Sequence, residues 1–212
     1  MDADYSSAAE HQKPDYLLQN QGPELDPEEA LQRLSQVQVE KKQGSTAAST
    51  LNAMRNQLFD DCLAAAAQEP GLFTLTAPTG LGKTLSLFAF AAEHCRIYGK
   101  RRIILILPFL AIIEQNVKDY RKVVPDLLEI HSNAQLDERA RLLSERWDAP
   151  CIVTTSVGFF QPLFSAKPAD CRHLHQLANS VLVLDEAQSL PPYLLDATLR
   201  TVKLLCTQYG CT

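Results

Sequence analysis

The sequence predicts an α/β domain with a mainly parallel sheet flanked by helices. Two observations carry that expectation. From residue 72 onward, short runs of branched apolar residues alternate with segments whose apolar positions recur every three or four residues, the alternation of a helix-covered parallel sheet. One run, Val181-Leu182-Val183-Leu184, is apolar throughout, as a strand buried on both faces requires. A chain of 212 residues, 46% hydrophobic and 21% charged, is long enough for one such domain with a sizeable core.

The elements follow in order. Residues 1–26 are polar, with Pro14, Gly22 and Pro23, and bury too little to offset their ordering entropy, so a flexible lead-in is expected. A short helix is expected over 27–42, with Pro27 in its first turn and Glu28 and Glu29 where the helix dipole favours acids. Residues 43–50, rich in Gly, Ser, Thr and Ala, read as a linker. A packing helix over 51–68 carries Leu51, Met54, Leu58, Cys62 and Ala65 at helical spacing. Strands are then expected at 72–76, 102–107, 127–131, 151–154 and 181–184. Helices are expected at 83–98, 110–120, 135–147, 156–160 with some extension, and 192–208. The division is thus 1–50 for lead-in, short helix and linker, and 51–212 for the folded domain.

A formal net charge of −5 argues against a protein held to nucleic acid by bulk electrostatics, so any such contact is local. The six cysteines, Cys62, Cys95, Cys151, Cys171, Cys206 and Cys211, show neither a C-x-x-C pair nor zinc-like spacing with histidine, and read as reduced, mostly buried thiols. No segment approaches the ~18 consecutive apolar residues of a membrane span. The polar, acidic start does not read as a signal peptide. A cytoplasmic protein without membrane contact is expected.

Two motifs carry chemistry. Ala77-Pro78-Thr79-Gly80-Leu81-Gly82-Lys83-Thr84 lies between a strand-like and a helix-like run, the context of a phosphate-binding loop, although Ala77 stands where the general pattern has Gly. Amides from Thr79 through Lys83 would cradle phosphate oxygens at a helix N-terminus. Lys83 would reach the β and γ phosphates of ATP, and the Thr84 hydroxyl would ligate the bridging Mg²⁺. The second motif is Asp185-Glu186 at the end of the apolar run, where open parallel sheets place their ligands. Asp185 suits the metal and Glu186 suits the orientation of an attacking water. The plainer readings are a Gly-containing turn and a solvated helix cap. Finding both motifs in this order and context favours the ATPase reading over either.

With the intervening segments, these motifs resemble those of the DEAD/DEAH-box superfamily-2 helicases, and among them the CRISPR-associated type I helicase-nucleases. The segments are Leu107-Pro108-Phe109-Leu110-Ala111-Ile112-Ile113-Glu114-Gln115-Asn116, Ile130-His131-Ser132, Thr154-Thr155-Ser156-Val157-Gly158-Phe159-Phe160, and 172–191 around Asp185-Glu186-Ala187-Gln188. The resemblance runs over about 51–211. It implies a RecA-like P-loop NTPase domain and an ATP-dependent motor that moves 3′ to 5′ on single-stranded DNA, recruited by a CRISPR surveillance complex in antiviral defence. It also implies that 108–116 and 154–160 line the DNA path. Read from the residues, both segments are equally strand ends capped into helices. Arg55-Asn56-Gln57 lies where such helicases often recognise adenine, or forms an exposed polar helix face.

Lys100-Arg101-Arg102 and Lys118, Arg121 and Lys122 read as solvated charge, with DNA contact as the second reading. His173 and His175 do not make a helical metal pair. Trp147 reads as a core cap, with base stacking as the second reading. Against the family pattern, the chain has no His-Asp dipeptide and no matching histidine cluster, so no nuclease activity is expected. Residues 1–45 resemble the trailing edge of the nuclease domain and its linker, and the chain stops before the second RecA-like domain and its arginines. By the resemblance, Gly210-Cys211-Thr212 is the turn into a strand that inserts between the acidic strand and 72–76. The chain alone is therefore expected to be marginally stable and inactive or very weak. Two further functions stay open on the sequence: another superfamily-2 translocase on RNA or duplex DNA, and a non-catalytic nucleotide-binding or interaction module.

Overall fold

A computed structural model describes residues 21–43, 49–165, 167 and 173–212, with the side chain of Gln115 excepted. Most of the expected lead-in, residues 44–48 of the expected linker, Cys171 and Arg172 lie outside the described residues.

Among the described residues there are four parallel strands: β1 (Arg102–Leu107), β2 (Leu128–Ile130), β3 (Cys151–Thr155) and β4 (Ser180–Leu184), in the order β2-β3-β1-β4. β1 is central, pairing Ile104 with Ile152 on one side and with Leu182 on the other, and all six of its residues are buried. Its alternation assigns the two layers. Ile103, Leu105 and Leu107 face one cluster, while Ile104 and Ile106 face the other.

The first layer holds α1 (Pro27–Gln43), α2 (Ser49–Ala65), α3 (Lys83–Tyr98) and α4 (Leu110–Val123). The Asp26 carboxylate accepts from the Glu29 amide at 3.0 Å, capping α1 just before Pro27. Ala30, Leu34 and Val37 of α1 are buried with Phe88, Ala91 and Ala92 of α3, so this short helix is part of the core. Lys41 pairs with Asp119 at 2.5 Å, joining α1 to α4. The second layer holds α5 (Glu138–Arg146), α6 (Ser156–Leu163) and α7 (Pro192–Tyr209), with Leu143, Phe159, Phe160, Val202 and Leu205 in the core. α5 starts later than expected because Asp137 caps it, accepting from the Ala140 amide at 2.7 Å. α7 starts on Pro192 and ends at Gly210, whose φ of 63° suits a residue without Cβ.

Phe88 is fully buried and stacks on Tyr120 at 5.6 Å between ring centres. Phe88→Ala is expected to cost about 3–5 kcal/mol, read as a lower urea midpoint with an unchanged slope.

One expected strand is not one. Residues 72–76 form no strand and make no backbone ladder among the described residues. The reason lies at the edge of the described sheet. The Thr212 amide donates to the Ser180 carbonyl at 3.0 Å and the Leu182 amide to the Thr212 carbonyl at 2.7 Å, the pattern of a parallel partner beginning beside β4. A largely apolar cavity of about 500 Å³ is lined by Val181 to Leu184 of β4 on one side and by Leu72, Phe73, Thr74 and Leu75 on the other. The 72–76 run has strand composition but makes no backbone hydrogen bond among the described residues.

Several aromatic and basic side chains take structural roles. Trp147 is 3% exposed, stacks on His173 at 4.5 Å and touches Phe159, so it is a core residue and not a base-stacking platform. Arg102 is buried as the first residue of β1, donating to the Trp147 carbonyl and, at 2.6 Å, to Gln176 Oε1, with Asp148 at 3.8 Å; burial pulls its guanidinium down to about 10. Lys100 donates to the Gly210 carbonyl at 2.8 Å. Arg121 pairs with Glu129 at 2.5 Å and Lys122 with Glu40 at 3.6 Å. The basic clusters are thus largely structural or ion-paired. Cys62, Cys95, Cys151 and Cys211 are buried free thiols, and Cys206 is a half-buried one. Burial pushes Cys62 up to about 11 and Cys95 up to about 12.

Candidate functional site

Parallel pairing puts the carboxyl ends of β1, β3 and β4 on one edge of the sheet, and both chemistry-bearing motifs meet there. The loop that ends in α3 has two left-handed residues, Gly80 at φ 83° and Gly82 at φ 80°. Neither has an atom within 4 Å of a would-be Cβ, so backbone conformation alone demands glycine at both positions. Gly82 is the residue from which α3 departs, and its carbonyl accepts from the Ser86 amide at 3.2 Å. Lys83 and Thr84 therefore occupy the first turn, beside amides that have no intrahelical partner.

Arg55 of α2 holds the loop from behind. Its Nε and Nη2 donate to the Gly80 carbonyl at 3.0 and 2.9 Å, and Nη1 donates to Asn52 Oδ1 at 3.2 Å. The guanidinium is thus a loop clamp, a role outside both sequence readings of Arg55-Asn56-Gln57. Gln57 is exposed and donates to Asp61 at 2.7 Å, whereas Asn56 lines a cavity of about 410 Å³ beside the loop with Gln38, Asn52 and Phe59.

The end of β4 meets the loop from the other side. Glu186 adopts a left-handed conformation, φ 53° and ψ 44°, a strained state for a residue with a Cβ. It brings Glu186 Oε1 to 3.2 Å from Lys83 Nζ, in a half-buried ion pair. Glu186 Oε2 accepts from Gln188 Nε2, a second orienting contact to which the sequence reading assigns no role. Asp185 Oδ1 accepts from the Glu186 amide at 2.9 Å, and the Asp185 amide donates to the Ile106 carbonyl at 3.0 Å. Lys83, Asp185 and Glu186 are therefore brought together, and Thr79, Gly80, Leu81, Gly82 and Thr84 form the adjoining loop and helix start.

The Asp185 carboxyl is held above its usual range, first by burial and then by the Glu186 charge, while the Glu186 amide and Lys83 pull the other way. A carboxyl with a raised native pKa keeps its proton where the unfolded chain has already released it. Stability therefore falls as pH rises through the window just above the ordinary carboxylate range. Asp185→Asn is expected to raise the stability of the ligand-free chain at neutral pH and to flatten that fall. Urea midpoints across about pH 4 to 7 read it.

Among the described residues no three His, Cys, Asp or Glu side chains gather as a metal cluster. The donor set fits a sparser site, one carboxylate and one hydroxyl, as Mg²⁺ accepts when water and phosphate complete its shell. Elsewhere on the edge, the Thr155 hydroxyl accepts from the Gly158 amide at 3.0 Å and the Ser156 hydroxyl reaches the Leu107 carbonyl at 3.5 Å. The strand-end capping reading of 154–160 thus holds locally. Among the described residues no helix is long and apolar enough to cross a membrane.

Comparison with known proteins agrees with this arrangement. The family model described as DEAD/DEAH box helicase matches residues 45–203, which include both the loop and the acidic strand end. A curated relative, the CRISPR-associated nuclease/helicase Cas3 of Haloferax volcanii, is 30% identical over a 190-residue alignment covering 73% of this chain and 20% of the relative. The chain spans about a fifth of that relative's length. On the family match and the parallel α/β architecture, the chain belongs to the DEAD/DEAH box helicases, a family that uses ATP, usually with Mg²⁺.

Proposed function

We propose that the chain is the ATP-binding part of a DNA helicase of CRISPR type I defence, coupling ATP hydrolysis to movement on single-stranded DNA. The observation that carries this reading is the 3.2 Å contact between Lys83 and Glu186, which joins the loop to the acidic strand end in one site. In this reading the amides of Thr79, Gly80, Leu81 and Gly82 receive phosphate oxygens and the Lys83 ammonium neutralises them. Thr84 and Asp185 would hold Mg²⁺, which would supply positive charge to offset that of the phosphates. The burial and Glu186 charge that raise Asp185 make it receptive to a cation.

Before nucleotide arrives, Glu186 is engaged by Lys83. Phosphate oxygens compete for that ammonium, leaving Glu186 held by Gln188 and free to orient and deprotonate a water. The CRISPR assignment draws on the Haloferax relative, a CRISPR-associated nuclease/helicase, while a surveillance complex as partner and the single-stranded DNA path are what the motif resemblance implies, the latter for segments 108–116 and 154–160.

ATP binding and turnover by the chain, measured with single-stranded DNA, single-stranded RNA and duplex DNA, tests the reading. Stimulation by single-stranded DNA above the other two is expected. Equal or greater stimulation by RNA or duplex would reassign the substrate. Binding without turnover on any of them would make the chain a nucleotide-binding module, and no nucleotide binding would remove the site.

A further inference from the structure

The Gly80 carbonyl is held more firmly than a loop carbonyl needs to be. It meets two N–H donors of one guanidinium, Arg55 Nε at 3.0 Å and Nη2 at 2.9 Å, enough to engage both of its lone pairs. Asn52, one turn earlier on the same face of α2, accepts from Arg55 Nη1 at 3.2 Å and turns the planar fork toward the loop. The clamp joins residues 25 apart, so it belongs to the packing of α2 beside the loop and not to the turn itself.

The consequence falls on the far side of the same peptide. Among the described residues no peptide bond is cis, so the Gly80 carbonyl and the Leu81 N–H point in opposite directions within one plane. With the carbonyl fixed against Arg55, the Leu81 N–H is turned away from it. Leu81 is buried, yet its amide donates to no group among the described residues, a costly state for a backbone donor unless a ligand or water meets it. A carbonyl that accepts charge-assisted bonds also polarises its own peptide, which makes the opposite N–H a stronger donor.

We infer that Arg55 is a positioning residue for nucleotide phosphate, aiming and polarising the Leu81 amide through the Gly80 carbonyl, with Asn52 holding the guanidinium in place. The loop then carries a fixed donor before its ligand arrives, which spares the ordering that a free loop would undergo on binding. Arg55 in this role touches neither base nor phosphate. Its influence therefore extends to any ligand that carries the polyphosphate, whether or not a base is attached. The inference rests on the nucleotide-site reading above, and its test separates the two.

The 212-residue chain and its Arg55→Ala, Arg55→Lys, Asn52→Ala and Met54→Ala forms are titrated by calorimetry with Mg·ATP and with Mg·tripolyphosphate, which has no base. Arg55→Ala is expected to weaken both ligands alike, by about 10- to 100-fold. Arg55→Lys keeps the charge without the fork and should recover only part of the loss. Asn52→Ala keeps the guanidinium but not its orienting bond, and should weaken both ligands by about 2- to 10-fold. Met54 is 51% exposed on the same helix, and Met54→Ala should bind both as the unmodified chain does. By NMR, the Leu81 amide proton should move downfield when tripolyphosphate binds the unmodified chain, and less far at saturation in Arg55→Lys. If Arg55→Ala unfolds, Arg55→Lys and Asn52→Ala decide the question. A loss confined to Mg·ATP, full recovery in Arg55→Lys with no loss in Asn52→Ala, no loss in any form, or a Leu81 amide that does not respond would each overturn the positioning role while leaving the nucleotide site intact. Failure of the unmodified chain to bind either ligand would overturn both.

Discussion

Replacing Glu186 by glutamine is expected to lower ATP turnover by about 10²- to 10⁴-fold while leaving nucleotide affinity unchanged or tighter. Glutamine keeps the length and one acceptor but loses the charge that polarises water. It also loses the ion pair with Lys83 at 3.2 Å, so the ammonium no longer has to leave a partner before meeting phosphate. The neighbouring Asp185 carboxyl, raised in part by the Glu186 charge, should relax toward its usual range. Single-turnover release of labelled phosphate, sensitive enough for a slow enzyme, reads the rate. Titration with a fluorescent ATP analogue reads the affinity. A loss of affinity as large as the loss of turnover would make Glu186 a binding residue and remove it from the chemistry.

Lys83→Ala is expected to act on the other half of the pair. Removing a charged donor to phosphate weakens nucleotide binding by about 10- to 100-fold. The loss is compounded because Glu186 then stands unpaired beside Asp185, adding negative potential where phosphates must sit. Asp185 also loses one of the two groups that hold its pKa down, so it should rise further. Lys83→Arg keeps the charge but presents a wide planar head where a compact ammonium fits, and it should recover little. Isothermal titration with Mg·ATP distinguishes these forms. Unchanged affinity in Lys83→Ala would place the phosphates away from the loop.

The pattern of these residues explains which parts of the protein are legible in its sequence. β1 and β4 are legible because a parallel strand buried on both faces needs an unbroken apolar run, and Ile103 to Leu107 and Val181 to Leu184 supply one. The loop is legible because its conformation depends on Gly80 and Gly82, residues whose use at positive φ is visible by type. Residues 72–76 carry the same strand composition, yet pairing is a property of the neighbour, and their neighbour position is a cavity beside β4. Arg102 reads as surface charge because it follows Lys100 and Arg101. Strand register buries it against Gln176 and Asp148.

The same holds for the site. That Lys83 and Glu186 belong together can be argued from motif order, but the left-handed turn at Glu186 that aims its carboxylate has no glycine to announce it. The Arg55 clamp on Gly80 spans 25 residues and depends on how α2 packs beside α3, which no local pattern encodes. A polar residue at helical spacing near a glycine loop is the one signal that could suggest it.

The central claim is that the loop and the end of β4 form one nucleotide site. Thermal unfolding of the chain in rising Mg·ATP tests it most directly, because a ligand that binds only the folded state raises the midpoint with concentration. A saturable rise is expected in the unmodified chain and in Glu186→Gln, and little or none in Lys83→Ala. No rise in the unmodified chain, or an equal rise in Lys83→Ala, would contradict it.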